Sequence, residues 1–328
     1  MKREMNIDSL RVIAIIMVVI LHSFAIFIIA NFDKFNLDLK LSTSIAVFTR
    51  VAVPLFVMVS GRYLMDCLSK ISIKDFYVKR ANRVLYPLLF WSVIYSGYKM
   101  FFVEGSTVSS VVVDFFVGTP YIHLWFLYMI FGLYLVTPLL YKIKNKLSTK
   151  GYVLFSVVSL LIAPVFEMNM KIQILQLFTY IGYFTMGDIL KDFVVGSKGK
   201  IISLLGYFAS MFVAVGLTVY FIDLKNDVAF MFSSGTVYTT MIGAISLYVF
   251  FNGLDNKESK LSKVSKYTMG IYCIHYIILE FLSRSTNEVL TGIMVLDASL
   301  YAIITFFISW VIIYYLSKVE FSHKWLGI

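Results

Sequence analysis

An arginine and a histidine eleven residues apart, Arg11 and His22, sit in the first long apolar stretch of the chain. Eleven residues turn a helix by about 1,100°, within roughly 20° of three full circles, and advance it by about 16 Å. Both side chains therefore leave one helix face, Arg11 near a membrane edge and His22 well inside the hydrocarbon. An ionisable group at that depth is costly, so its default meaning is a functional site facing protein or water. An imidazole there can take a proton from a hydroxyl and deliver it elsewhere. The plainer alternative is a hydrogen bond between packed helices; for His22 the face shared with Arg11 favours the chemical role. Three further histidines weigh less. His275, midway along a later apolar stretch, fits either role. His123, at the outer start of another, reads as an interfacial structural residue, and His323 in the C-terminal tail needs no role.

Other cations invite a second kind of chemistry. Lys79-Arg80-x-x-Arg83 lies at the inner end of the third apolar stretch, and residues three apart share a helix face. Guanidinium pairs grip phosphates bidentately; ordinary anchoring of a membrane helix by positive charge is the alternative. Arg62, beside Ser60-Gly61, adds a cation on the same side. With Arg11 these make an inward-facing cluster suited to a polyanionic cytosolic ligand. Arg50 lies in the outer half of the second stretch, four residues before Pro54. The missing proline N–H frees the carbonyl of residue 50 and is expected to kink the helix there. A kinked helix with an intramembrane arginine reads as the lining of a cavity. Pro138 is expected to distort the inner end of the fourth stretch similarly.

The elements that must position these residues are legible in composition. The chain is 59% hydrophobic and 15% charged, with mean hydropathy +0.83, whereas soluble domains carry nearer ~25% charged residues. Ten apolar stretches read as membrane spans: 9–31, 45–65, 84–103, 121–141, 152–166, 173–190, 201–222, 229–251, 267–283 and 298–317. The expectation is an all-α integral membrane protein, a bundle of about ten transmembrane helices in one membrane-embedded domain covering 1–328. With the N-terminus inside, the inner segments hold twenty-one Lys and Arg and the outer loops five, Lys34, Lys40, Lys171, Lys225 and Arg284. That asymmetry puts both termini in the cytoplasm. It also accounts for the net charge of +10 without a nucleic-acid partner. The first apolar run is too long for a signal peptide and lacks a small-x-small cleavage site, so it is expected to be retained. The connection 104–120 reads as the longest outer loop, with no added soluble domain and only a short tail after the last span.

Absences narrow the chemistry further. Glu280 is the main carboxylate inside a predicted span, whereas cation-coupled transporters need buried carboxylates. Paired interrupted spans in matching halves, a phosphate-binding Gly-rich loop, HExxH and a nucleophile elbow are not found. Cys67 and Cys273 fall at different depths, so neither a disulfide nor a metal site is expected. Two classes remain open from the residues alone: an enzyme transferring a group from an anionic donor, and a transporter or flippase for a glycan precursor or small anion. A membrane sensor or scaffold is a weaker third.

The ordered motifs carry a resemblance. Asn6-Ile7-Asp8-Ser9-Leu10-Arg11, the ten-residue spacer and His22 resemble the opening of the acyltransferase-3 family of integral-membrane O-acyltransferases. The run from Arg50 through Pro54 to Gly61 is similar to that family's second helix, and Phe76 to Pro87 to its Arg-x-x-Arg signature. His123-Leu124-Trp125-Phe126-Leu127-Tyr128 resembles a segment of the polysaccharide-modifying members, and Tyr267 to His275 the penultimate helix. The resemblance implies transfer of an acyl group, usually acetyl, from cytosolic acyl-CoA to a hydroxyl of a cell-surface or lipid-linked glycan, in the bacterial plasma membrane and without a metal. It implies Arg11 and His22 as the essential pair and Arg80 and Arg83, with Arg62 beside them, on the donor's phosphates. Arg50, His123 and His275 are left to support the site or the acceptor.

Overall fold

The computed structural model describes residues 4–31, 36–167, 172–224, 234–286 and 290–327, and among them every regular element is helical. In chain order these are α1 (Met5–Ala30), α2 (Leu37–Phe48), α3 (Ala52–Leu68), α4 (Ile73–Arg80), α5 (Tyr86–Phe102), α6 (Val108–Val117), α7 (Trp125–Lys146), α8 (Thr149–Glu167), α9 (Leu177–Ile189), α10 (Ser197–Asp223), α11 (Tyr238–Asn252), α12 (Lys260–Val264), α13 (Thr268–Thr286), α14 (Met294–Leu316) and α15 (His323–Leu326). Among the described residues, six stretches are long and apolar enough to cross a membrane: Met5–Ala30, Leu37–Leu68, Trp125–Lys146, Thr149–Phe166, Ser197–Asp223 and Met294–Leu316. At about 1.5 Å per residue, α1 extends about 39 Å, beyond the ~30 Å of a hydrocarbon core. Each apolar stretch read from the sequence falls on a helix; the eighth is seen from Tyr238 onward, and residues 229–233 lie outside the described residues.

Three local expectations are revised. The second stretch is two helices rather than one kinked helix. A turn through residues 49–51 separates α2 from α3, with Arg50 N donating to Val47 O at 3.1 Å and Ala52 N to Thr49 O at 3.1 Å. Pro54 then falls in the first turn of α3, where a missing N–H costs no helical bond. The break lands on Arg50, the residue whose carbonyl Pro54 could not have bonded. By contrast, α7 runs unbroken past Pro138. Carbonyls beside the proline also accept side-chain hydroxyls: Thr137 Oγ1 donates to Leu133 O at 2.7 Å and Tyr77 Oη to Leu135 O at 2.8 Å. Finally, the connection 104–120 contains α6. Thr107 and Ser110 close a capping box at its start, and Gly118, with φ 93°, ends it in the left-handed region.

The chain divides into two compact units, residues 1–56 with 191–315 and residues 57–190 with 316–328, passing from the first to the second within α3. In the first unit, α1 packs against α2, α11, α12 and α13. Its C-terminal half is fixed by a cluster of Phe24, Phe27, Ile28, Leu39, Ala46, Leu279, Met294, Ala298 and Tyr301. There Phe27 meets Tyr301 edge-on at 5.0 Å. Asp38 ties α2 to the start of α14 by accepting from Met294 N and Val295 N at 2.7 and 3.1 Å. The N-terminal end of α1 is pinned by polar contacts. Asn6 Nδ2 donates to the carbonyls of Phe251 and Asn252 at 3.1 and 3.4 Å, at the end of α11. Ser9 Oγ meets Ser259 Oγ at 3.2 Å.

In the second unit, α3 and α9 approach backbone to backbone. A Cβ at Gly61 would overlap the carbonyl oxygen of Phe184, and one at Gly187 that of Met58, the small-residue packing expected where lipid supplies no hydrophobic drive. Beside this seam Asp188 joins three helices. Its carboxylate accepts from Lys144 Nζ at 2.7 Å and from Tyr152 Oη at 3.2 Å, with 1% of the Asp188 side chain exposed. Asp188→Asn strands the ammonium of Lys144. Because Lys144 is 29% exposed, the expected loss is roughly 2 kcal/mol, less than the ~3–5 kcal/mol of a fully buried pair. The check is a lower unfolding midpoint for the detergent-purified variant.

Candidate active site

Arg11 and His22 of α1 meet the same side of α13. Near the start of α1, Arg11 Nη1 donates to Asp8 Oδ1 at 3.5 Å and Nη2 to Thr268 Oγ1 at 3.3 Å. The Thr268 hydroxyl itself donates to Ser265 O at 2.9 Å, so a lone pair is turned toward the guanidinium. Further along, the His22 ring lies 5.3 Å from the His275 ring, tilted by 37°, and 5.3 Å from Tyr276, edge-on at 73°. Thr268 and His275 are seven residues apart, about 10 Å along their helix. The reach of an arginine chain makes up the difference from the longer step on α1.

His22 is half-buried while His275 is wholly buried. His275 Nδ1 lies 2.6 Å from Tyr272 O. A carbonyl only accepts, so Nδ1 carries the hydrogen, and in the neutral ring Nε2 holds the lone pair. Burial and that bond lock one ring, leaving its partner as the more accessible imidazole. Arg50 lies in the break between α2 and α3, in the same unit as His22. One unit thus assembles Arg11, His22, Arg50 and His275 along α1, α13 and the α2–α3 break.

The remaining sequence-predicted residues belong to the second unit. His123 is fully buried, edge-on to Tyr95 at 4.8 Å and to Tyr121 at 6.2 Å. Arg62 is buried in α3. Arg80 and Arg83 are not in like surroundings, because the helix widens into a π-turn over Ala81–Leu85. Arg80 packs over Phe76 at 5.6 Å with its Nε buried. Arg83 is exposed and lines a cleft of about 450 Å³ with Asn82, His323 and Lys324. His323, expected to have no role, is therefore part of a cationic cleft.

Sequence reasoning also passed over Asp8, Thr268 and Tyr276. Asp8-x-x-Arg11 spacing on a helix could have shown the first; the other two depend on tertiary packing. Among the described residues no group of three His, Cys, Asp or Glu is gathered as a metal site.

The family model of the acyltransferase-3 domain, an acyltransferase domain, matches residues 5–314. No curated protein and no solved structure matches the chain. The matched region begins at the first residue of α1 and ends within α14, so it takes in the whole α1–α13 seam, the α2–α3 break and the π-turn with its arginines. With six apolar helices long enough to cross a membrane, the chain belongs to the acyltransferase-3 family and is a membrane acyltransferase.

Proposed function

We propose that this protein moves an acyl group, acetyl by preference, from cytosolic acyl-CoA to a hydroxyl of a cell-surface or lipid-linked glycan. The observation that carries the reading is the pairing of His22 with His275, on the helix face that also presents Arg11. The acceptor hydroxyl attacks the thioester carbonyl while His22 takes its proton; the C–S bond breaks and the proton passes on to the departing thiolate. A second route, in which His22 carries the acyl group transiently, uses the same residues and differs in its ping-pong kinetics. His275 holds His22 in place, and Arg50 stabilises the oxyanion that develops on the carbonyl. Arg11, held between Asp8 and Thr268, lies on the same helix face as His22.

Arg80, Arg83 and Arg62 meet the phosphates of the donor, consistent with their guanidinium chemistry. His123 plays a supporting part within the second unit. The ten apolar stretches span the membrane of a bacterial cell, with both termini in the cytoplasm; the excess of Lys and Arg in the inner segments supports this orientation. Its partners are the glycan acceptor and membrane lipids.

Membranes containing the protein, given labelled acetyl-CoA, should pass label into the glycan or lipid fraction. Label that stays with the donor while a glycan precursor crosses the membrane would replace this reading with transport.

A further inference from the structure

The segment that follows α14 folds back onto the second unit. Residues 320–322 make a 3-10 turn and α15 follows, packing against α5. Trp325 lies 5.5 Å from Phe90 and 5.9 Å from Tyr86, ring to ring, and Leu326 is buried. Lys324 Nζ stands 3.7 Å over the Tyr86 ring. His323 Nε2 donates to Ser317 O at 2.7 Å, which leaves Nδ1 as the other polar edge of the ring. The aromatic anchor therefore holds His323 and Lys324 at the cleft that Asn82 and Arg83 enter from the π-turn.

The four lining side chains are rich in donors. Arginine offers five N–H, lysine three and the asparagine amide two. None of the four is a carboxylate. Such a set suits phosphate oxygens, which only accept. At about 450 Å³ the cleft also has room for the organic group that bears the phosphate.

We propose that the segment after α14 completes a phosphate site with Arg83, with His323 and Lys324 as its second wall, and that the phosphate bound there is that of a nucleotide-bearing acyl donor. This rests on the transferase reading above but assigns the tail a part in donor binding. Two phosphate sources share the chemistry, a nucleotide and an anionic lipid headgroup, and the test separates them.

The full-length protein is placed in nanodiscs of phosphatidylcholine alone, and binding of adenosine 3′,5′-bisphosphate is measured. Lys324→Gln is expected to weaken binding by about tenfold, the loss of one charge-assisted contact, with the unfolding midpoint unchanged. Trp325→Ala, which keeps both cations but removes the anchor, is expected to weaken it similarly. Binding lost in Arg83→Ala yet unchanged in both tail variants would overturn the proposal. So would tail variants that bind the bisphosphate normally but lose retention of phosphatidylglycerol in mixed nanodiscs, which would assign the cleft to lipid. Tail-dependent binding in a protein that transfers no label would leave this site standing and overturn the transferase reading alone. Normal transfer with an unchanged KM for acetyl-CoA in Lys324→Gln would overturn the site alone.

Discussion

His22→Ala is expected to lower acyl transfer by at least ~100-fold, within the 10²–10⁴ that a positioned acid–base group contributes, while the protein inserts normally. The reason lies in the asymmetry of the histidine pair. His22 is half-buried, so truncating it removes ring contacts worth about 0.5–1.5 kcal/mol and opens no sealed cavity. Its loss should therefore be seen in rate rather than stability. His275 is fully buried and bonded to Tyr272 O, so His275→Ala should show the reverse balance, a marked fall in unfolding midpoint with a smaller kinetic loss. Transfer rates in membranes and unfolding midpoints of the two purified variants check both halves. Equal kinetic losses with equal destabilisation would make the pair structural.

Arg11→Met should reduce transfer by about as much and also destabilise the protein. Only 9% of the Asp8 side chain is exposed, beside Arg11 with 23%. Taking away the guanidinium leaves a nearly buried carboxylate short of its cation, at a cost of roughly 1–3 kcal/mol. The double variant Asp8→Asn with Arg11→Met removes the stranded charge. It should recover most of the stability and none of the transfer. Thermal unfolding and transfer are measured on the same preparations, and recovery of transfer in the double variant would reduce Arg11 to a structural ion-pair partner.

Helical periodicity alone carried much of this seam. The step from Arg11 to His22 is a property of one helix, so it could be read without knowing the neighbour, and both residues do face α13. Pro54 likewise announced a disturbance at Arg50, although the backbone resolved it by breaking the helix, since three free residues relieve the proline more fully than a bend does. What periodicity could not give is the identity of the partner. His22 and His275 are separated by most of the chain, and nothing local to either records that their rings meet. Asp188 illustrates the same limit. Each of Lys144, Tyr152 and Asp188 looks ordinary near the end of its own helix, and only the packing of α7, α8 and α9 brings them together.

The π-turn shows how a local rule can mislead. Arg80 and Arg83 have the spacing of a shared face in an α-helix, but an i→i+5 turn between them changes the angle, and one arginine is packed while the other reaches the cleft. The signal was Pro87, which cannot donate to the carbonyl of Arg83 and so favours a wider turn just before it. His323 was dismissed because a short tail has no periodicity to read. The clue lay in Trp325, a large aromatic group that seeks a surface to cover.

The most direct measurement is single-turnover transfer from labelled acetyl-CoA in membranes carrying acceptor, comparing the native protein with His22→Gln. Glutamine keeps a polar side chain of similar reach but cannot take up a proton at neutral pH or carry an acyl group. If a hydroxyl is acylated at His22, the variant will bind acetyl-CoA as the native protein does and release no labelled product. Label reaching the acceptor at the native rate in that variant would show that the reaction proceeds without this imidazole, and the α1–α13 seam would be packing alone.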